Sequence, residues 1–220
     1  MNLFITGTDT SAGKTFVTAL LTRALRARGF ETIALKPLCS GERSDVEILQ
    51  AASDHHLSLD ETNPVWLREP AAPLVAARLE NRSISLDSLV NWFRHLSSKH
   101  PSLLIEGAGG WLVPITPKAT IADFAARLAL PVVPVVANRL GCINHTLLTL
   151  ESIRARGLQC PGIVLNTLST TEDIATRTNR EILVQYTPIL LEIHPSQTDI
   201  PPTHLAHFLH GCIRANPTPK

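Results

Sequence analysis

ITGTDTSAGKTF, residues 5–16, is the most informative stretch of this 220-residue chain. A phosphate-gripping loop ordinarily reads G-x-x-x-x-G-K-[ST], after a strand and before a helix. Here Thr8 stands where that pattern has its first glycine, and Gly7 falls one residue earlier. The flanking residues supply the required context. Residues 2–6 are a short apolar run that reads as a strand. Across residues 14–28, Val17, Leu20, Leu21, Ala24 and Leu25 recur at helical spacing, and Gly29 is a natural stop. Gly13 lets the backbone approach a phosphate, and successive amides at a helix N-terminus form an anion nest. Lys14 is then placed to neutralise β- and γ-phosphate oxygens, and the Thr15 hydroxyl to ligate Mg²⁺. The extra residue lengthens the rim and presents Asp9, Thr10 and Ser11 near the outermost phosphate. Thr10 and Ser11 suit a polar acceptor there, whereas Asp9 is equally well explained by turn chemistry.

Outward from the loop, strand-like and helix-like segments alternate. Strands are predicted at residues 32–36, 102–106, 132–137, 162–165 and 189–193. Helices are predicted at 86–99, 120–130, 144–156 and 172–185. Residues 41–64 are polar and read as holding a short helix at best. Wholly apolar strands joined by helical crossovers imply a mostly parallel sheet covered on both faces, an α/β, P-loop NTPase-like fold. One domain spanning 1–220 is expected, with a frayed tail from about residue 214.

In such sheets, ligands bind beyond the carboxyl ends of the strands. Three further strand ends carry polar groups. ALKPLCSGERSD places Lys36 toward the phosphates and begins a loop with Ser40, Gly41 and Asp45. LLIEGAGGW ends an apolar strand on Glu106, where a Walker-B-like carboxylate reaches Mg²⁺. Thr15, Asp45 and Glu106 make an oxygen-only donor set suited to that ion. NRLGCINH follows the most β-rich run, where Asn144 suits either a ligand contact at the strand end or a cap for the next helix. IVLNT ends on Asn166, whose amide offers both donors and an acceptor to a base edge.

Bulk composition excludes several classes. The formal net charge is +1, so there is no global basic footprint for nucleic acid or an anionic membrane. The longest apolar stretch, residues 128–137, is broken by Pro131 and Pro134 and is too short to span a bilayer. No signal peptide fits before the loop, and Cys39, Cys142, Cys160 and Cys212 lack C-x-x-C spacing, so a cytoplasmic protein with reduced thiols is expected. His204, His207 and His210 beside Cys212 read as a half-exposed helix rather than a zinc site.

Taken together, GTDTSAGKT, KPLCSG with Asp45, EGAGGWLVP and LGCINH resemble dethiobiotin synthetase, in family order, from about residue 2 to about residue 166. The resemblance implies an ATP-dependent ligase that makes the ureido ring of dethiobiotin from 7,8-diaminononanoate and CO₂, with Mg²⁺, through a carbamate and a carbamic–phosphoric anhydride. It implies a homodimer with each site at the subunit interface. It assigns charge neutralisation to Lys14 and Lys36, and acceptor binding to Thr10 supported by Ser40. ATP falls to Ser11, Ala12, Gly13, Lys14, Thr15 and Phe16, with adenine at Asn166. The metal falls to Thr15, Asp45 and Glu106. Leu140, Gly141, Cys142, Ile143 and Asn144 match the loop that reaches the neighbouring subunit's substrate carboxylate. Two departures stand out. Arg139 replaces a frequent lysine, and Leu191-Glu192-Ile193-His194-Pro195 departs from the usual G-x-[IL]-P on the adenine side.

Two other classes share the phosphate loop. Partition or carrier-type ATPases commonly read K-G-G-x-G-K-T, with a signature lysine where this chain has Asp9. Other amide-forming ligases, such as cobyrinate-type amidases, are expected to lack LGCINH at this position.

Overall fold

Residues 8–13 join β1 (Asn2–Gly7) to α1 (Lys14–Arg26) in a computed structural model that describes residues 1–171 and 173–214. The chain continues through β2 (Thr32–Leu35), β3 (Leu38–Ser40), α2 (Ser44–Ala52), α3 (Leu59–Thr62), β4 (Val65–Leu67), α4 (Pro73–Leu79) and α5 (Leu86–Ser97). Next come β5 (Ser102–Gly110), β6 (Pro114–Thr116), β7 (Ala119–Thr120), α6 (Ile121–Leu128) and β8 (Val132–Ala137). The last elements are α7 (Cys142–Ala155), β9 (Ile163–Asn166), α8 (Ile174–Leu183), β10 (Ile189–Ile193) and α9 (Pro202–Arg214).

Six strands form the central sheet in the order β10-β9-β8-β1-β5-β2, and every pairing in it is parallel. The strands are apolar on both faces because helices cover both. Leu3, Ile5 and Leu104 pack with Val17, Leu20 and Leu21 of α1 and Phe208 of α9. Phe4, Leu103 and Ile105 pack on the opposite face with Phe93 of α5 and Phe124 of α6. The chain leaves β1 for β2 at one edge, returns to insert β5 beside β1, and then crosses to β8 on the other side. That reversal opens a crevice at the carboxyl ends of β1, β5 and β8, the usual ligand position in such sheets.

The structure corrects several local expectations. Residues 41–64 hold two helices. In the nine-residue α2, Val46, Leu49 and Ala52 are buried at three-residue steps, and Leu49 and Ala52 meet Ala19 and Ala34. Asn144 does not cap α7: that place belongs to Gly141, in left-handed backbone at φ 89°, and Asn144 lies inside the first turn. β5 runs on through the glycines to Gly110, and β2 stops one residue before Lys36. The expected helix at 172–185 is α8, and Glu172 lies outside the described residues. So does most of the tail expected to fray. No helix among the described residues is long and apolar enough to cross a membrane.

Candidate active site

The phosphate loop is shaped by local conformation. Ser11 (φ 59°) and Gly13 (φ 83°) both adopt left-handed backbone, and α1 has no acidic residue in its first turn. Its N-terminal amides and dipole therefore face no competing carboxylate from their own helix. Two contacts explain the glycines. A Cβ on Gly13 would lie 2.1 Å from Asn166 Nδ2, and one on Gly7 would meet the Asp9 carbonyl at 2.7 Å and Lys14 Nζ at 3.2 Å. The Asp9 carboxylate caps the Thr10 amide (2.7 Å) and bonds Arg139 (2.8 Å), so it ties the loop to the segment after β8. Both partners are substantially exposed, and such a pair adds little stability.

Beneath the loop lies a charged cluster. Thr15 Oγ1, in the first turn of α1, donates to Glu106 Oε1 at 2.8 Å. Lys36 Nζ donates to the same Glu106 oxygen and to Asp45 Oδ2 at 2.9 Å. The Glu106 side chain is fully buried, and that of Lys36 is only 5% exposed. Burial opposes the charge on Lys36, but Glu106 and Asp45 outweigh it and hold the ammonium protonated well above the ordinary lysine range. Burial likewise disfavours ionised Asp45, yet Lys36 and Thr15 keep its carboxyl below the ordinary range. Lys14 differs: burial pushes its pKa down, with only partial compensation from Glu106. Such an ammonium has much to gain from an incoming phosphate.

Glu106 Oε2 is buried with no hydrogen-bond partner among the described groups. An orphaned carboxylate oxygen beside a second carboxylate and a hydroxyl fits a hard cation that prefers oxygen. Ser40 Oγ is also buried with no hydrogen-bond partner among the described residues.

The segment between β2 and α4 is built to hold these groups. Asn63 Nδ2 donates to the Lys36 carbonyl at 2.7 Å, and the Lys36 amide donates to the Thr62 carbonyl at 3.0 Å. Arg43 precedes α2 and stacks on Trp66 at 5.0 Å while donating to the carbonyls of Leu59 (3.2 Å) and Asn63 (3.3 Å). Trp66 Nε1 bonds the Gly41 carbonyl at 2.8 Å. The backbone on either side of Asp45 is thereby fastened.

One cavity of about 640 Å³ gathers most of the expected residues. Thr10, Ser11, Gly13, Lys14, Thr15, Phe16, Lys36, Ser40, Asp45 and Glu106 all line it. Its apolar lining comes from Leu38, Ala108, Val113 and the run Pro70 to Pro73. The sequence reading missed that proline run; its only signal was two prolines flanking alanines in EPAAP. Ala12 is buried behind the loop, and its carbonyl accepts from Asn166 Nδ2 at 3.0 Å. Asn166 itself does not line the cavity. Neither do Leu140, Gly141, Cys142 or Asn144. Leu140 is 83% exposed, and Cys142 is buried among Val136, Leu150 and Leu165.

Comparison with known proteins places this geometry. A family described as an AAA domain matches residues 1–201. The ATP-dependent dethiobiotin synthetase BioD of Akkermansia muciniphila is 42% identical over 211 residues, covering 95% of this chain and 99% of that one. The enzyme of the same name from Bacillus licheniformis is 34% identical, covering 94% of this chain and 90% of that one. Among solved structures, the septum site-determining protein MinD of Pyrococcus horikoshii, complexed with Mg-ADP, superposes with a TM-score of 0.59. It covers 99% of this chain and 89% of its own at 17% identity, a likeness of fold alone. Identity above 30% across nearly the whole chain is found with the dethiobiotin synthetases. The chain belongs to the dethiobiotin synthetase family.

Proposed function

We propose that this chain, acting as one catalytic unit, makes dethiobiotin from 7,8-diaminononanoate, CO₂ and ATP in biotin biosynthesis. The observation that carries the reading is the convergence on one cavity of cations from two strand ends, Lys14 after β1 and Lys36 after β2, beside the buried carboxylate of β5. A nucleotide switch needs the phosphate loop. It has little use for a second buried lysine, a partnerless serine hydroxyl and an apolar wall next to it.

The chemistry sets the demands. One amine of the diamine attacks CO₂ and loses a proton to give a carbamate. A carbamate oxygen then attacks the γ-phosphorus, and ADP leaves. The second amine attacks the carbonyl carbon of the resulting anhydride, and phosphate leaves as the ring closes. An anion must approach an anion in the middle step, so charge has to be neutralised from several directions and the reactants held in line. Lys14 faces the phosphates from the loop. Lys36 reaches the same space from β2, and Thr10 and Ser40 offer hydroxyls to the carbamate or amine. The aliphatic chain of the substrate fits the wall formed by Leu38, Val113 and Pro70 to Pro73. No strong general base is required, because amines and phosphate carry the protons. Mg²⁺ would be held by Thr15, Asp45 and Glu106, and when bound it neutralises charge on the triphosphate.

The substrate's carboxylate end is assigned to residues 140–144 of a second subunit in a homodimer. The position of this segment outside its own chain's cavity and the exposure of Leu140 support that assignment. Asn166 is assigned to the adenine side, next to the loop it already braces. Four free cysteines suit a cytoplasmic setting.

The test is a product assay with the diamine, bicarbonate and ATP. Phosphate release that requires both diamine and CO₂, with dethiobiotin formed in equal amount, supports the reading. ATP hydrolysis indifferent to the diamine would sink it.

A further inference from the structure

We propose that Lys36 is the resident cation of the metal site while nucleotide is absent, and that the triphosphate admits the divalent ion by drawing the ammonium out. The inference rests on the assignment of Thr15, Asp45 and Glu106 as metal ligands. In the structure the Lys36 ammonium already occupies the gap between two of them, bonding Glu106 Oε1 and Asp45 Oδ2. Thr15 Oγ1 bonds the same Glu106 oxygen. Glu106 Oε1 and Asp45 Oδ2 are therefore in use, and Glu106 Oε2 is left without a partner among the described residues.

Charge explains why both cations cannot stay. Two carboxylates and one ammonium sum to −1. A divalent ion added to that set, even on the free Glu106 Oε2, would share both carboxylates with the ammonium, in a pocket where Glu106 is wholly buried. Like charges that close, with little water between them, repel strongly. Removing the lysine instead leaves two carboxylates that exactly balance a divalent ion. Leaving the buried Glu106 carboxylate without a cation is also costly, so the site favours one cation or the other.

The backbone of Lys36 is pinned from both sides by Thr62 and Asn63. Only its flexible four-carbon stem can move, and it lines the same cavity as Gly13, Lys14 and Thr15. A triphosphate seated there gives the ammonium a new anionic partner as the metal arrives. Metal and nucleotide binding are then positively coupled, and reciprocally so.

Direct Mn²⁺ binding, followed by electron paramagnetic resonance, tests this without turnover. Without nucleotide, Lys36→Met should bind Mn²⁺ at least about tenfold more tightly than wild type, within the usual range of coupling between sites. The non-hydrolysable analogue AMPPNP should tighten wild type by a larger factor than the variant. Equal Mn²⁺ affinity of wild type and Lys36→Met without nucleotide would overturn the proposal. Glu106→Gln and Asp45→Asn, measured with AMPPNP, separate the two layers. If these lose Mn²⁺ while Lys36→Met matches wild type, only the stand-in role fails. If they keep it, the ligand assignment fails and this inference with it. Should Lys36→Met not fold, the ¹⁵Nζ resonance of Lys36 in wild type serves instead. Movement on adding AMPPNP alone but not Mg²⁺ alone supports the exchange, and movement with Mg²⁺ alone overturns it.

Discussion

Asn166 donates from its side-chain nitrogen to the carbonyl of Ala12 at 3.0 Å, joining residues 154 apart in sequence. The contact fastens the back of the phosphate loop to the end of β9. The same nitrogen would lie 2.1 Å from a Cβ on Gly13, where the backbone is also left-handed. Gly13→Ala therefore meets a steric clash and a conformational penalty together. Its ATP affinity should fall at least about 100-fold, a loss of some 3 kcal/mol or more. Asn166→Ala removes the clash partner but leaves the φ penalty, so the double variant should recover only part of that loss. Isothermal titration with AMPPNP reads all three. Full recovery in the double variant would mean that backbone conformation contributes nothing.

Lys14 and Lys36 should separate in kinetics from Thr10. In the proposed mechanism both cations act on charge that develops as the carbamate meets the γ-phosphate, so Lys14→Ala and Lys36→Ala should each lower kcat by about 10²–10³. Thr10 lines the rim, and its hydroxyl lies 3.6 Å from where a Gly109 Cβ would sit. Thr10→Ala should mainly raise KM for the diamine, by roughly tenfold, as expected for loss of a ground-state hydrogen bond. Circular dichroism on each variant checks that the fold is intact. Normal turnover by Lys36→Ala would remove the role given to that residue.

Helix α6 allows a prediction about pH. Thr120 and Asp123 form a reciprocal cap: Asp123 Oδ2 accepts from the Thr120 amide at 2.8 Å and from its hydroxyl at 2.7 Å. Partial burial would raise the pKa of Asp123, but the bonds from Thr120 and the nearby Arg156 prevail and hold it below the ordinary aspartate value of 3.8. A folded-state pKa depressed in this way adds stability above the unfolded value, and the addition disappears as pH falls through the folded one. Asp123→Ala should cost about 1 kcal/mol at neutral pH, the usual worth of such a cap. The gap between variant and wild type in urea midpoint should narrow as pH is lowered past the ordinary aspartate value. An unchanged gap there would show that the carboxylate charge plays no part.

The parts of the fold legible in sequence are those with local signals. The phosphate loop has fixed spacing, β8 is a dense β-branched run, and α1 and α5 have regular apolar stripes. Lys36 and Glu106 are readable because each closes an apolar run, Lys36 just after β2 and Glu106 within β5. The segment from 38 to 79 was not. β3 and β4 are three residues each, too short for any period to show, and they exist through pairing with each other. α2 buries only three of its nine residues, so its sequence reads as polar. Asn63 and Arg43 hold the site through carbonyl groups that only the folded chain brings near. The start of α7 is hidden in the sequence for a related reason. Asparagine is a common cap, but a left-handed Gly141 had already turned the chain before Asn144 was reached.

The last prediction concerns the shared site. Residues 140–144 stay outside the cavity of their own chain, while Lys14 lines it. If a homodimer builds each site from one subunit's loop and the other's 140–144 segment, Lys14→Ala and Asn144→Ala damage opposite halves. Each homodimer then has two impaired sites. A mixed dimer has one doubly damaged site and one wholly intact site. Random exchange makes about half of the dimers mixed, so about a quarter of wild-type activity should return when the two variants are unfolded together and refolded. The assay is run at diamine concentrations low enough that Asn144→Ala alone is nearly silent. Each variant refolded alone should stay inactive. No recovery, with mixed dimers verified by differently tagged chains, would place the whole site within one subunit. It would leave the exposed Leu140 to be explained by something other than a neighbour's substrate.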